Sequence, residues 1–395
     1  MAFTSDDYDT AMNFALLGVD HDALILASAI VESPSQRLVT ILGTDNELQQ
    51  AVSLDENIRR ETDWEWVLDA SDVDAVIVTR QADHEQQIQR LRILAQADIP
   101  LLVTYPTSDV LVSYELEMIL QDTQGIILPY VPGLRHPGIT QMLALASEEL
   151  GDIEQIFIQR ILTDRSRTTV LDQFARDLTL LRDLLGTVTR IGAMAREPAS
   201  NVLDNLALQM SLSDGRVAHW TTRSSSPGAE TAVSIHGSAG EVQLIMDGSP
   251  ESWRLNDLRE PGKPAITFED WNDPQSTIDA MVDAVKRVEV HPNWSDVCHD
   301  LAVVDAATDS LRRGKTIAIH DAPISEHTTF KGIMAAGGCG MLMLSLIVLM
   351  IVAMIEGLRL PFRTTAFWQL WPVYLLGLLA VFLVLQVLKF VFPRE

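Results

Sequence analysis

Short apolar segments alternate with amphipathic segments from Asn13 to about Gly151, and this alternation constrains the fold more than any other feature of the sequence. The apolar segments are rich in Val, Ile and Leu and are typical of buried strands: Phe14–Leu17, Leu38–Leu42, Ala75–Val78, Leu101–Val103 and Ile126–Leu128. The segments between them have the pattern of helices: Asp22–Val31, Glu47–Leu54, His84–Gln96 and Ser108–Gln121. Strands separated by helices are typical of a parallel sheet with helices on both faces. The sequence therefore predicts an α/β domain over residues 1–150, with a ligand crevice at the carboxyl ends of its strands.

The chain changes character at about Asp152. A long apolar strand, IEQIFIQRILT, is followed by an amphipathic helix, LDQFARDLTLLRDLLG, that ends at Gly186. Several strands come next, joined by short turns such as Asp214-Gly215, and two helical segments follow them. This order predicts an α+β domain over residues 151–315, with an open, mainly antiparallel sheet that carries helices.

Two long apolar runs without charged residues follow a polar linker at residues 316–332. They cover residues 333–355 and 366–388, and each exceeds the roughly 18 to 20 residues that a helix needs to cross the hydrocarbon core of a bilayer. The sequence therefore predicts a transmembrane helical hairpin over residues 333–392, with the lipid bilayer as its partner. A helical hairpin buried in protein is the alternative interpretation.

The charges around this hairpin favour one orientation. Lys331, Lys389 and Arg394 lie on the side that the soluble domains share with the carboxyl end, and Arg359 and Arg363 lie in the loop. This modest bias places the soluble part inside. The first residues of the chain are acidic, whereas a signal peptide begins with a basic segment. We therefore expect a two-pass protein of the inner or cytoplasmic membrane, with the soluble domains in the cytoplasm.

The overall charge excludes one class of partner. A formal net charge of −25 leaves little to neutralise phosphates, so we expect no nucleic-acid binding. The chain has two cysteines, Cys298 and Cys339, and the second lies in an apolar run. This number predicts neither a disulfide framework nor a zinc site, and we expect no metal site.

The turn after the first predicted strand is the place where a dinucleotide-binding fold has the pattern G-x-G-x-x-G. Here the three positions hold Gly18, Asp20 and Ala23. The middle glycine normally lets the backbone approach the pyrophosphate, so a carboxylate there opposes binding. Two like charges about 4 Å apart repel by roughly 1 to 4 kcal/mol, which weakens binding by about fivefold to a thousandfold. The alternative is that Asp20 or Asp22 caps the helix that follows.

Five local motifs occur in an order that resembles one enzyme family: VDAVIVTRQADHEQQIQRLRILAQADIPLLVTYP, LPYVPGLRHPGITQMLALASEELGDIEQIFI, DQFARDLTLLRDLLG, IHGSAGEVQL and DSLRRGKTIAI. Over roughly residues 12 to 320 the chain resembles the glucose–fructose oxidoreductase, inositol dehydrogenase and MocA (Gfo/Idh/MocA) family. The resemblance implies a Rossmann-type first domain and NAD or NADP as cofactor. It also implies a homo-oligomer through the open sheet, because that sheet often mediates dimers in the family. The hairpin is similar to that of membrane-anchored versions.

The resemblance identifies the positions at which an active member carries its chemistry. The family's Glu-Lys-Pro corresponds here to Thr104, Tyr105 and the proline that follows, and the family's acid/base histidine corresponds to Arg176. Asp172 matches the same helix of the family, but its second acid is replaced by Thr179. Tyr105 could donate a proton, whereas Arg176 stays protonated and can only bind an anion. Alternatively, Asp172 and Arg176 form an ordinary surface pair at i, i+4 spacing.

Further candidates for cofactor binding lie at the ends of predicted strands. Thr104 and Arg80 end two of the strands, His84 stands at the family's histidine position, and Asp45 follows the second strand near the place of the acid that holds the ribose. A cation at Arg80 could offset Asp20 or hold a phosphate. Asp45 could instead be a turn residue, and His84 could instead cap its helix.

These residues leave three hypotheses about function. The first is a membrane-anchored, catalytically degenerate member of the family that binds a nucleotide, a sugar-like ligand or a partner protein. The second is an active NAD(P)-dependent oxidoreductase, in which Tyr105, Asp172 and Arg176 carry the reaction on a sugar- or cyclitol-like substrate. The third is a structural or assembly subunit at the membrane. A mainly apolar open face, formed by Val233, Ile235, Val242, Leu244 and their neighbours, would favour the third hypothesis.

Overall fold

The computed structural model describes residues 11–51, 58–80, 84–106, 110–224, 230–260 and 262–319, and also Met350 and Met354. The chain divides into two compact units, residues 1–321 and residues 322–395. The described residues form two sheets, and both belong to the first unit.

A six-stranded sheet contains the first half of this unit. Its strands are β1 (Met12–Leu17), β2 (Gln36–Leu42), β3 (Arg59–Glu61), β4 (Ala75–Val78), β5 (Leu101–Thr104) and β6 (Ile127–Tyr130). The order is β3-β2-β1-β4-β5-β6 and every neighbouring pair is parallel. The predicted parallel sheet is confirmed, and its order is that of a dinucleotide-binding sheet. The sequence did not predict β3, because its residues, Arg-Arg-Glu, form no apolar run.

The helices were largely predicted by their amphipathic pattern. Those of the first half are α1 (His21–Glu32), α2 (Asp45–Gln50), α3 (Trp66–Asp69), α4 (His84–Gln96), α5 (Val110–Thr123) and α6 (Pro137–Glu149). Those of the second half are α7 (Arg167–Leu180), α8 (Arg182–Leu185), α9 (Asp273–Val285) and α10 (Trp294–Arg313). The predicted ends of α2 and α5, at residues 52–54 and 108–109, lie outside the described residues.

A nine-stranded sheet forms the second half. Its strands are β7 (Ile153–Leu162), β8 (Val188–Met194), β9 (Ala207–Leu212), β10 (Val217–Ser224), β11 (Ala232–Gly237), β12 (Gly240–Ile245), β13 (Arg254–Asp257), β14 (Ile266–Thr267) and β15 (Ile317–Ala318). The order is β14-β13-β12-β11-β7-β10-β9-β8-β15. The pair β7–β10 is parallel and the other pairs are antiparallel, which confirms the prediction of an open, mainly antiparallel sheet. Because β15 pairs with β8, the predicted linker at residues 316–332 begins as part of the sheet.

The open face of this sheet is not the apolar one. The four apolar residues that the sequence analysis assigned to it, Val233, Ile235, Val242 and Leu244, are fully buried in the core. Side chains alternate along a strand, so their neighbours Ser234, His236, Glu241 and Gln243 lie on the open face instead. The centre of that face is Phe157, with its ring 5.1 Å from those of both His219 and His236. The apolar open face that would have favoured the third hypothesis is therefore not formed by these four residues.

One hydrophobic core joins the two sheets. Val103 of β5 and Phe174 of α7 belong to the same cluster of buried side chains. The indole Nε1 of Trp294 donates to the carbonyl oxygen of Ser113 at 3.0 Å, and Cys298 Sγ lies 3.2 Å from the same oxygen. These contacts fix α10 against α5, and α7 packs on α10.

Among the described residues, no helix is long and apolar enough to cross a membrane. The two predicted membrane segments, residues 333–355 and 366–388, lie outside the described residues, apart from Met350 and Met354. The hairpin therefore stays a prediction.

A buried charge network holds α7 on the nine-stranded sheet. The Asp177 carboxylate accepts from Arg160 Nε at 2.8 Å, from the Trp220 indole at 2.7 Å and from Gln173 Nε2 at 3.0 Å. Asp177 and Trp220 are both buried. Both oxygens of the carboxylate thus accept hydrogen bonds, and these bonds offset the free-energy cost of burying its charge.

We expect Asp177→Ala to lower the free energy of unfolding by about 3 to 5 kcal/mol, because it leaves Arg160 buried without its partner. The control, Glu230→Ala, removes an exposed ion pair with Arg254 and should cost less than about 1 kcal/mol. Denaturant unfolding of both variants and the wild type measures the difference. Equal losses in the two variants would contradict the structural role of Asp177.

Candidate functional site

The candidate site is a crevice at the carboxyl ends of β1, β4 and β5. The chain order of the strands reverses between β1 and β4, and ligands of open α/β sheets bind at such a point. A cavity of about 610 Å³ lies there, within the size range of small-molecule sites. The first sheet contributes Asp20, Asp22, Arg80 and Thr104 to its lining, and α7 contributes Asp172 and Arg176.

Asp20, which follows β1, caps α1 and bonds residues at the ends of β4 and β5. Its Oδ1 accepts from the backbone N–H of Ala23 at 2.7 Å. Its Oδ2 accepts from the Thr104 hydroxyl at 2.8 Å and from the Arg80 N–H at 3.3 Å. The interpretation of Asp20 as a helix cap is thus confirmed. The amide at the start of α1 that would be offered to a phosphate is already bonded to a carboxylate of the same chain.

The turn before Asp20 keeps the shape that the fold requires. Gly18 has a φ of 81°, a conformation that favours glycine, and its N–H donates to the carbonyl oxygen of Leu42 at 2.8 Å. The first glycine of the dinucleotide pattern therefore has its structural role, although the second position holds Asp20.

Two ion pairs cross the crevice between the first sheet and α7. Arg176 Nη2 lies 2.7 Å from Asp22 Oδ2, and Arg80 pairs with Asp172. The pairs have opposite polarity, since each side of the crevice supplies one arginine and one aspartate. The interpretation of Asp172 and Arg176 as a surface pair along the helix is therefore wrong, because each bonds across the crevice instead.

Tyr105 contributes its backbone to the site. Its carbonyl oxygen accepts from Arg176 Nε at 2.8 Å. The residue is only 1% exposed, and its phenol lies in the core near Thr179 and Asp300. Burial raises the pKa of Tyr105 well above its ordinary value, with the negative charge of Asp300 as the next cause. A phenol in this environment keeps its proton and is shielded from a ligand in the crevice.

A buried acid lies behind the crevice, at a place that the sequence analysis missed. Asp300 Oδ2 accepts from the Thr179 hydroxyl at 2.9 Å, and Asp300 Oδ1 accepts from Arg182 Nη1 at 2.6 Å. Arg182 also pairs with Asp296 at 2.8 Å. Burial raises the pKa of Asp300 to about 7 despite the nearby guanidinium. The one signal in the sequence is the spacing of Asp296 and Asp300, one helical turn apart on α10.

The remaining predicted cofactor residues are only partly brought together. Thr104 lines the crevice and bonds Asp20, and its hydroxyl also accepts from the Arg80 N–H at 3.1 Å. Asp45 is exposed in the first turn of α2 and does not line the cavity. His84 begins α4, and its side chain lies outside the described part of the structure. Within that part, no group of three His, Cys, Asp or Glu side chains is placed to hold a metal ion.

Two residues on α7 were not identified from the sequence. Thr169 and Gln173 line the cavity together with Asp172 and Arg176. Their spacing, three and four residues apart, puts them on one face of the helix. This helical spacing was the available signal, but it gives the face of α7 without showing that the face meets the first sheet.

Comparison with known proteins supports the fold. No model of a known protein family matches the sequence, and a search of curated proteins found no match to it. A crystal structure from Desulfitobacterium hafniense, assigned as an NADPH-dependent oxidoreductase, has 18% identity and a TM-score of 0.69, and the match covers 78% of this chain and 98% of that one. One from Sinorhizobium meliloti, assigned as a myo-inositol dehydrogenase, has 19% identity and a TM-score of 0.63, with 78% and 100% covered.

A third structure contains bound ligands. The WlbA dehydrogenase of Chromobacterium violaceum, in complex with NADH and UDP-GlcNAcA, has 15% identity and a TM-score of 0.65, and the match covers 82% of this chain and 100% of that one. This chain has the fold of the Gfo/Idh/MocA oxidoreductases. The resemblance inferred from the five motifs is confirmed, and at these identities the similarity establishes the fold. In the Gfo/Idh/MocA fold of this chain, the first sheet and α7 enclose the crevice described above.

The raised pKa of Asp300 predicts a pH-dependent contribution to stability. The folded protein keeps a proton on Asp300 up to about pH 7, whereas the unfolded chain loses it near its ordinary value of 3.8. The contribution is therefore complete below that value and is lost as the pH rises from about 4 to 7. A shift of about three units corresponds to at most about 4 kcal/mol.

Asp300→Asn keeps the shape of this side chain and removes its titration. We expect the melting temperature of the wild type, relative to that of Asp300→Asn, to fall between pH 5 and pH 7.5. Asp305→Asn, at an exposed position of the same helix, is the control and should show no such trend. A difference in melting temperature between the wild type and Asp300→Asn that stays constant across this pH range would rule out the raised pKa of Asp300.

Proposed function

We propose that this chain is a membrane-anchored protein with the Gfo/Idh/MocA oxidoreductase fold that binds a ligand in its crevice and has lost hydride transfer. The observation that carries the proposal is the position of the Asp20 carboxylate. It accepts from the Ala23 N–H at the start of α1 and from the Thr104 hydroxyl at the end of β5. This place in the fold otherwise receives the pyrophosphate of a dinucleotide.

The residues at the family's catalytic positions support the loss of chemistry. Arg176 is always protonated and is held by Asp22 and by the Tyr105 carbonyl, so it cannot accept a proton from a substrate hydroxyl. The Tyr105 phenol is buried with a raised pKa. General acid–base groups are worth about 10² to 10⁴ in rate, so the lack of a proton acceptor at the Arg176 position and of an accessible phenol at the Tyr105 position removes much of that contribution.

The charges of the crevice favour a neutral ligand over an anion. Among the described lining residues, three carboxylates, Asp20, Asp22 and Asp172, face two guanidiniums, Arg80 and Arg176, and the sum of these five charges is negative. Both guanidiniums are paired with carboxylates. Paired carboxylates and guanidiniums can bond the hydroxyls of a sugar- or cyclitol-like molecule, which brings no charge of its own. We propose that such a molecule is the ligand.

NAD or NADP is the cofactor class to test, because the WlbA dehydrogenase that shares this fold is in complex with NADH. We propose that this chain binds it weakly. The predicted hairpin at residues 333–392 would anchor the protein in the inner or cytoplasmic membrane, with the crevice on the cytoplasmic side. The support for the anchor is the length of the two apolar runs.

An active NAD(P)-dependent oxidoreductase is the second candidate. Its support is the cavity of about 610 Å³ at the point where the strand order reverses. The Arg80 side chain is about half exposed in its ion pair, so a ligand phosphate could compete with Asp172 for it.

Replacement of Asp20 by glycine tests the central observation. Asp20→Gly removes the repulsion of a pyrophosphate, so we expect NADH and NADPH to bind about fivefold to a thousandfold more tightly than to the wild type. Glycine is a good helix cap, so the loss of the cap itself costs only a few tenths of a kcal/mol. The lost bonds from Thr104 and from the Arg80 N–H add about 0.5 to 1.5 kcal/mol each. Calorimetric titration of the full-length chain measures the affinities.

Asp45→Gly is the matched control, because it removes an exposed carboxylate from a residue that does not line the crevice. It should leave the affinity unchanged. Micromolar NADH binding by the wild type, together with NAD(P)-dependent oxidation of a cyclitol or sugar, would refute the loss of hydride transfer. Titration of myo-inositol and glucose without nucleotide tests the ligand class, and Arg176→Ala should weaken any binding that is found.

A further inference from the structure

A second cavity lies beside the outer face of α1. It has a volume of about 560 Å³ and shares His21 with the crevice. On one side its lining comes from α1, and on the other side from the segment just before β13 and from the start of α9 with the two residues before it. The residues on which its chemistry depends are Leu24, Ile25, Glu32, Glu251, Trp271 and Pro274.

The aromatic wall of this cavity is held in place from behind. The Trp271 ring lies 6.0 Å from the His136 ring. The His136 ring is in turn 4.7 Å from the rings of both Trp253 and Phe268. His136 is fully buried, and its Nδ1 accepts from the Gly138 N–H at 3.0 Å. Because this cluster is packed, Trp271 presents a surface that needs little ordering when a ligand binds.

The charges that line the cavity are negative. Glu32 and Glu251 both line it. Among the residues that the structure describes, no lysine or arginine lines the cavity, and His21 is the one basic side chain in its lining. Carboxylates that line a cavity oppose an anionic ligand and favour a cationic one.

We propose that this cavity binds a small organic cation, namely an ammonium group that carries apolar substituents. The face of a tryptophan attracts such a cation, and the indole is the strongest of the aromatic rings in this respect. Leu24, Ile25 and Pro274 provide the apolar contacts for the substituents, while Glu32 and Glu251 balance the charge. A bare metal ion would not use the apolar side chains.

Choline and its uncharged analogue 3,3-dimethylbutan-1-ol test the proposal, because they have nearly the same shape and differ in charge. Binding to the purified full-length chain is followed by saturation-transfer NMR on the methyl singlet of each compound. We expect choline to bind about 3- to 30-fold more tightly than the alcohol, the range that a cation–π contact supplies. myo-Inositol is the competitor that reports a sugar site.

Three variants separate the contributions of the residues. Trp271→Leu should weaken choline binding by about 3- to 30-fold. Glu251→Gln should weaken choline binding by up to about fivefold and leave the affinity for 3,3-dimethylbutan-1-ol unchanged. Glu269→Gln changes an exposed carboxylate outside the cavity and should have no effect. Because Trp271 also packs on His136, a melting curve accompanies each variant.

Each outcome decides the proposal. A preference for choline that Glu251→Gln reduces and Glu269→Gln leaves intact supports the cation site. Equal binding of choline and the alcohol, loss of choline binding in Glu269→Gln, or displacement of choline by myo-inositol would each overturn it. Since the crevice residues are unchanged in all of these variants, the result does not depend on the function proposed for the crevice.

Discussion

The Asp20 carboxylate is the interaction on which the candidate site depends. It bonds the start of α1, the end of β5 and the backbone that follows β4, so one side chain fixes the relative positions of the elements that form the crevice floor. A carboxylate can do this because the amides at a helix start carry partial positive charge. The same bonds place a negative charge where the fold would otherwise offer those amides to a phosphate. The structural role of Asp20 and the functional role that we propose for it therefore rest on the same carboxylate.

The second requirement is the position of α7. The helix is fixed to the nine-stranded sheet by the buried Asp177 network, and its opposite side reaches across to the first sheet through Asp172 and Arg176. Because the two pairs have opposite polarity, Asp22 and Arg80 on one side are balanced by Arg176 and Asp172 on the other, while Asp20 bonds within the first half. This arrangement satisfies the polar groups without a bound ligand. It leaves a polar cavity with little free positive charge.

The prediction of the fold succeeded where local pattern decides structure. Buried strands such as Ala75–Val78 and amphipathic helices such as α10 have periodicities that a single sequence reveals. The short polar strand β3 has no such pattern and was missed. The assignment of Val233 and its neighbours to the open face failed because alternation along a strand shows that two faces differ without showing which one the helices cover. Assembly through that face stays a prediction.

The sequence by itself determined the α/β and α+β character of the two halves and the presence of Asp20 in the turn after the first strand. These features follow from residue type and from spacing along the chain. The resemblance to the family implies in addition that Tyr105 and Arg176 stand at the positions of its lysine and histidine. The tertiary structure decided which charges meet: Arg176 with Asp22 and Arg80 with Asp172, rather than Asp172 with Arg176. It also decided that the Tyr105 phenol is buried near Asp300, about two hundred residues away in the chain. The physical reason is that ion pairing and desolvation depend on distances between segments, and these distances are set only when both sheets pack around a common core.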